Sequence, residues 1–421
     1  MRRLVPRAYR DVLTVRGFRR FIVGTGLSFV GDAMANVAVP WLALELATDG
    51  SKALAVTLAA IAFTLPGALV GLLFPRAADR IGTRRLILMD SGIRGVVLAV
   101  VPVLAWTGHL GLASYVTLLA ASSIFHGWGA GGRMTLIATL IDEPRRMAAN
   151  ALVFGQSHLA FVVGPVLAGL LIAEVGAPAV IGLDALSFAA LFLAAATVAA
   201  HPLPRMRTVL GTRPAGVRGV VRHPQMAGLF ALTLLFYLLY GPTEVAVPLQ
   251  VRQHLHGGAA LFGVLGTAFG LGAILGSLVA GAVAKLKLWP TALGIVAGWG
   301  AAVVVLGATS GPVVAISAMA AGGLIFAPYP AIVTTLLQAT TDPAELAGVT
   351  SAWASLVVAT VPLGIALGGP LVGVLGPRAV LLLSGGSTLL LALVGSVLTG
   401  LPALGRREHS DRAAAPPAAR A

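Results

Sequence analysis

Apolar residues in this chain come in long, nearly unbroken runs. They do not alternate as in soluble strands, nor keep to one side as in surface helices. The runs cover 20–46, 54–75, 86–106, 110–141, 147–174, 177–200, 225–250, 258–284, 288–309, 311–338, 346–374 and 377–402. Each reaches the roughly 20 residues that a helix needs to cross a bilayer. Tilt, kinks and protruding ends absorb the excess in the longer ones. The pattern predicts an all-α membrane protein of twelve transmembrane helices. The first run starts at Phe21 and outlasts the apolar core of a cleaved signal peptide, so it reads as a retained span.

Composition agrees with this pattern. Of 421 residues, 57% are hydrophobic and only 10% are charged. Soluble domains carry about 25% charged residues, and disordered chains are less apolar than this. There is no cysteine, which excludes disulfides, iron–sulfur clusters and thiolate metal sites. No cofactor is expected.

The net charge of +14 changes the picture only once the charges are placed. With the N-terminus cytoplasmic, 24 of the 29 Lys and Arg fall on the cytoplasmic side, Lys52, Arg252 and Arg378 fall opposite, and Arg94 and Arg133 lie within spans. This sorting predicts an N-in, C-in topology. It makes the lipid bilayer the partner of the basic groups and excludes nucleic acid. The domain reading is a cytoplasmic tail at 1–19, a six-helix half at 20–201, a polar basic loop at 202–224, a second half at 225–402 and a disordered tail at 403–421.

The two halves carry traces of a repeat. Asn36-Val37-Ala38-Val39-Pro40 matches Glu244-Val245-Ala246-Val247-Pro248 at an offset of 208. At an offset of 200, Gly164, Ala168 and Gly169 fall on Gly364, Gly368 and Gly369. Two parallel six-helix repeats are an established carrier architecture, with the binding site at their interface near the midplane. Small residues let helix backbones approach closely. Gly164, Pro165, Gly169, Gly364 and Gly368 are therefore expected at packing or hinge positions.

Ionisable residues inside lipid are costly and mark candidate function. Asp32 lies 12 residues past Arg20, about 18 Å along the helix. Glu244 occupies the repeat position of Asn36. Loss of hydration favours the neutral form of a carboxyl group, which lets it exchange protons near neutral pH. Asp32 and Glu244 are therefore candidates for proton coupling or substrate contact; the bland alternative is a carboxyl bonded to a neighbouring helix. Asn36, Gln156, His158 and Tyr240 are candidate cavity residues. Phe236, Tyr237, Tyr329 and Trp353 join Tyr240 as a possible aromatic wall. Asp90 and Arg94, four residues apart, read either as a local ion pair or as a contact to the preceding loop. Arg133 reads as a snorkelling residue or a partner for a carboxylate. Asp184 reads as facing water near the outer edge.

The loop after the second span is Pro75-Arg76-Ala77-Ala78-Asp79-Arg80-Ile81-Gly82-Thr83-Arg84-Arg85. It resembles the signature loop of the major facilitator superfamily, with Pro75 in place of the usual first glycine and Thr83 in place of the first paired basic residue. Asp79 suits the positive end of the following helix, and Gly82 permits a tight backbone. The resemblance implies a conformational switch formed by Asp79, Arg80, Gly82, Arg84, Asp90 and Arg94. Gly31-Asp32, Ala149-Asn150-Ala151, Gly164-Pro165 with Gly169, and the glycines 263, 270 and 272 are similar to the macrolide-efflux and siderophore-exporter branch. Ser123 stands where many drug–proton antiporters have an arginine, so that residue's role does not carry over.

The resemblance implies a monomeric carrier of the plasma membrane. It would export a small amphipathic or hydrophobic compound by alternating access, in exchange for protons. Rival readings are a nutrient importer or facilitative carrier on the same fold, and a non-transporting membrane sensor or scaffold. No nucleophile–base pair or metal spacing suggests an enzyme.

Overall fold

The computed structural model describes residues 7–198, 224–283, 287–341 and 343–413, and these are helical apart from short turns. The first half comprises α1 (Arg7–Leu13), α2 (Arg16–Leu46), α3 (Lys52–Leu73), α4 (Pro75–Ile81), α5 (Thr83–Trp106), α6 (Leu112–Ser123), α7 (His126–Leu140), α8 (Glu143–Val175) and α9 (Ala177–Ala196). The second comprises α10 (Pro224–Gln253), α11 (Ala259–Val283), α12 (Leu288–Ala308), α13 (Pro312–Phe326), α14 (Tyr329–Thr340), α15 (Pro343–Leu375) and α16 (Pro377–Ala413). Most of the 202–224 loop and the end of the chain lie outside the described residues. α16 runs past 402, where the last span was expected to end.

Among the described residues, eleven helical stretches are long and apolar enough to cross a membrane, one of them the α13–α14 pair over Pro312–Thr340. The run at 110–141, expected as one span, is two shorter helices that break at Ile124–Phe125. The break sits at a close crossing with α3. There Ser123 Oγ donates to the Ala62 carbonyl at 2.8 Å. A Cβ on Gly67 would lie 2.5 Å from the Ser123 carbonyl oxygen. Apolar side chains such as Val96, Trp106, Leu278 and Val374 stay exposed on the outside, as a lipid-facing surface requires.

The repeat reappears as matched packing. α2 packs on α8 and α9 as α10 packs on α15 and α16; α5 meets α9 as α12 meets α16. Across the halves, α8 meets α11 as α15 meets α3. The glycines carry this register. A Cβ on Gly164 would strike Ala33 of α2, and one on Gly364 would strike Gly241 of α10; both offsets, 200 and 208, hold in this pair. Likewise Gly169 abuts Ala259 of α11, Gly369 abuts Thr57 of α3, and Gly368 rests on Pro242. Gly176 and Gly376, also 200 apart, turn the chain between α8 and α9 and between α15 and α16 with φ of +81° and +82°, a conformation that side chains with a Cβ resist.

The loop Pro75–Arg85 forms α4, then Gly82 at φ +86°, then the start of α5. Among the described residues, Arg84 pairs with no carboxylate. It donates from Nε and Nη2 to the carbonyls of Ala195 (3.3 Å) and Ala196 (2.6 Å), the orphan acceptors at the negative end of α9. Arg80 is exposed. Asp79 lies in α4, and its side chain is outside the described residues.

Candidate functional site: two adjacent cavities between the halves

Two cavities lie between the helices that carry the repeat. The first, about 600 Å³, is bounded by Asp32, Asn36, Arg94, His126, Arg133 and Phe161 of the first half and by Val357, Val361 and Pro362 of the second. The other, about 290 Å³, is bounded by Asn36, Phe161 and Pro165 on one side and by Tyr240, Glu244, Phe262, Phe269, Trp299 and Met319 on the other. Asn36 and Phe161 border both. A separate hollow of about 520 Å³ beside Lys287 and Pro290 is almost wholly apolar and shares no lining residue with either cavity.

The first cavity is built on ion pairs. Arg94, only 2% exposed, donates from Nη2 to Asp32 Oδ1 at 2.9 Å. Its Nη1 lies 2.6 Å from His126 Nδ1. A guanidinium only donates, so Nδ1 accepts and the ring is neutral with its hydrogen on Nε2. The guanidinium stacks over Phe188 at 4.1 Å and Phe63 at 5.3 Å. Asp90 pairs separately, its Oδ2 accepting from Arg133 Nη1 at 3.3 Å. The local Asp90–Arg94 pair is therefore corrected: each residue bonds to another helix, and Arg133 binds a carboxylate. Glycine makes room for this, since a Cβ on Gly129 would lie 2.0 Å from Asp90 Oδ2. Gly129→Ala is expected to break the Asp90–Arg133 pair and cost about 2–4 kcal/mol, read as a lower unfolding temperature in detergent.

The second cavity is aromatic with one acid. Tyr240 donates its hydroxyl hydrogen to Glu244 one turn on. The Tyr240 ring lies tilted against Trp299 (5.7 Å), which meets Phe269 edge-on (5.8 Å). Such a chamber suits the flat or greasy part of a solute, with one acidic anchor.

Residues 21–244 match the family model described as Major Facilitator Superfamily. The chain belongs to this superfamily. It is therefore a multi-pass membrane transporter of small molecules and not an enzyme. Over 403 residues it is 28% identical to the multidrug efflux pump Tap of Mycobacterium tuberculosis, covering 91% of this chain and 93% of that one. It is 26% identical over 389 residues to the enterobactin exporter EntS of Citrobacter koseri, covering 91% and 92%. The fold is that of solved members. The nucleoside transporter NupG superposes with a TM-score of 0.71 at 14% identity, covering 91% of this chain and 99% of that one. A bacterial homologue of the iron transporter ferroportin, in an inward-facing state, gives 0.70 at 12%, covering 90% and 98%.

Within this superfamily fold the expected site residues separate into two groups. Asp32, Asn36, Tyr240 and Glu244 come together around the two adjacent cavities. Gln156 and His158 border neither: Gln156 packs against Gly26 of α2, and His158 is exposed on α8. Phe236 and Tyr329 are fully buried core, 4.9 Å apart, so the aromatic wall is Tyr240, Phe262, Phe269 and Trp299 instead. Asp184 does not face water; it is 0% exposed, and its Oδ1 accepts from Ser187 Oγ at 3.2 Å. His126 and Phe188 were not singled out by the sequence reading. The one signal for them was the small-residue run around Gly127, Gly129 and Gly131, which marks a crossing close enough to bury a polar contact.

Proposed function

We propose that this transporter exports a small amphipathic or hydrophobic compound by alternating access, driven by proton entry. Glu244, beside Tyr240 in an aromatic chamber shared by both halves, is the observation that carries this reading. Asp32 and Glu244 are the proton-exchanging groups, and Asn36 and Tyr240 contact the solute. The names of two relatives, an efflux pump and an exporter, favour outward movement. In this reading α6 and α7 together form a twelfth crossing, and the sorted basic residues set an N-in, C-in monomer. The N-terminal tail, the central loop and the residues after 402 are cytoplasmic.

Everted membrane vesicles with an acid lumen, supplied with the amphipathic dye ethidium, test the proposal. Wild-type vesicles should accumulate dye while the gradient lasts. Glu244→Gln should lower gradient-driven uptake at least about tenfold, equivalent to ~1.4 kcal/mol of lost coupling. Uptake indifferent to the gradient, or unchanged when both Asp32→Asn and Glu244→Gln are present, would overturn the coupling assignment. Loss of dye on acidification of the lumen would reverse the direction.

A further inference from the structure

Carboxyl groups outnumber guanidinium groups in the buried cluster of the first half. Among the described residues, Asp32, Asp90 and Asp184 share only Arg94 and Arg133, and His126 is neutral. Asp90 has Arg133, and Asp32 has Arg94. Among the described residues Asp184 has no cation of its own: Oδ1 has only Ser187 Oγ at 3.2 Å, whose one hydrogen also reaches the Asp184 carbonyl at 2.7 Å, and Oδ2 has no partner. The charged groups acting on it are Asp32 from α2 and Arg94 from α5. Geometry brings the three together. Asp184 and Ser187 press on Gly31, where a Cβ would lie 2.4 Å from Asp184 Oδ1, and Gly31 adjoins Asp32. Phe188, one turn along α9 from Asp184, is the ring under the Arg94 guanidinium. An ionised Asp184 would be a second anion near Asp32 with one guanidinium acting on both, a far costlier arrangement than a neutral acid.

We propose that Asp184 is an inner proton site that shares Arg94 with Asp32. Asp184 holds a proton while Arg94 is paired with Asp32. When that proton passes to Asp32, the guanidinium turns to the new Asp184 carboxylate. One O–H bond breaks at Asp184 and one forms at Asp32, with no change in the cluster's total charge. Asp32 borders the cavity and exchanges the proton with water there, which Asp184 cannot do directly. This rests on the proton-coupled reading of Asp32 above.

Infrared spectra of the full chain in liposomes test it without any transported solute. They are recorded in a Glu244→Gln background, so that this carboxyl is silent. At neutral pH the carbonyl stretch of a buried protonated carboxyl is expected, shifting in D₂O. Asp184→Asn, which keeps an acceptor for Ser187, should remove the band. Asp32→Asn should remove it too, because the freed Arg94 ionises Asp184. A band that survives Asp184→Asn would assign the proton elsewhere, and one that survives Asp32→Asn would overturn the sharing of Arg94. Absence of the band in the Asp184-containing protein would overturn the site outright. A vesicle assay that fails while the spectra behave as expected would sink proton-driven export and leave the inner site standing.

Discussion

Arg94→Ala is expected to destabilise the folded protein by about 3–5 kcal/mol and to abolish transport. Arg94 is the hub of the first half. It holds Asp32 at 2.9 Å and His126 at 2.6 Å, and its flat face covers Phe188 at 4.1 Å. A buried ion pair adds little net stability, because desolvating both ions offsets their attraction. Removing one partner is different, since the other is left uncompensated. Arg94→Lys keeps the charge but not the fork that reaches Asp32 and His126 together, and should fall in between. Thermal unfolding in detergent reads the effect. The double variant Arg94→Ala, Asp32→Asn should recover part of the loss, because the orphaned carboxylate is gone. An Arg94→Ala protein as stable as the wild type would refute the hub.

Gly263→Leu is expected to reduce transport below about a tenth, a barrier increase of ~1.4 kcal/mol or more, while each half stays folded. A Cβ at Gly263 would lie 2.2 Å from the Pro165 carbonyl oxygen, and one at Gly270 would lie 2.7 Å from that of Phe161. Between them Thr267 Oγ1 donates to the Val162 carbonyl at 2.7 Å. These are contacts of backbone with backbone, where no side-chain rotation relieves a clash. They join α8 to α11, across the halves, so the core within each half is untouched. The chain has no cysteine, which makes a single introduced thiol a clean reporter. Asn36→Cys should react faster with an impermeant maleimide added from outside when Gly263→Leu is also present. Unchanged labelling and unchanged flux together would count against this seal.

Much of the site was legible because its causes are local. Asp32 and Glu244 stood out as acids in apolar runs, and Gly164 and Gly364 as repeat-related glycines; all four meet at packed or cavity-lining positions. The errors have a common origin. Asp90 and Arg94 are spaced for a local pair, yet α7 offers Asp90 a guanidinium and α2 offers Arg94 a carboxylate. Asp184 is only seven residues into α9, which on a single helix reads as an edge; the packing of α2 and α5 against α9 buries it. The break in the 110–141 run is invisible to apolarity, since both pieces are equally greasy; it follows from the crossing with α3 at Gly67 and Ser123.

The sequence alone determined which segments are long and apolar, that the two halves repeat, and which charges lie within those segments. Transfer into lipid is a sum over each segment's own residues and needs no neighbour. Only the tertiary structure decided which acid meets which arginine, and that Asp184 meets none of its own among the described residues. Ion-pair strength depends on distance and burial. Asp32 and Arg94 lie 62 positions apart in the chain, so helix packing, not sequence spacing, chose their partnership.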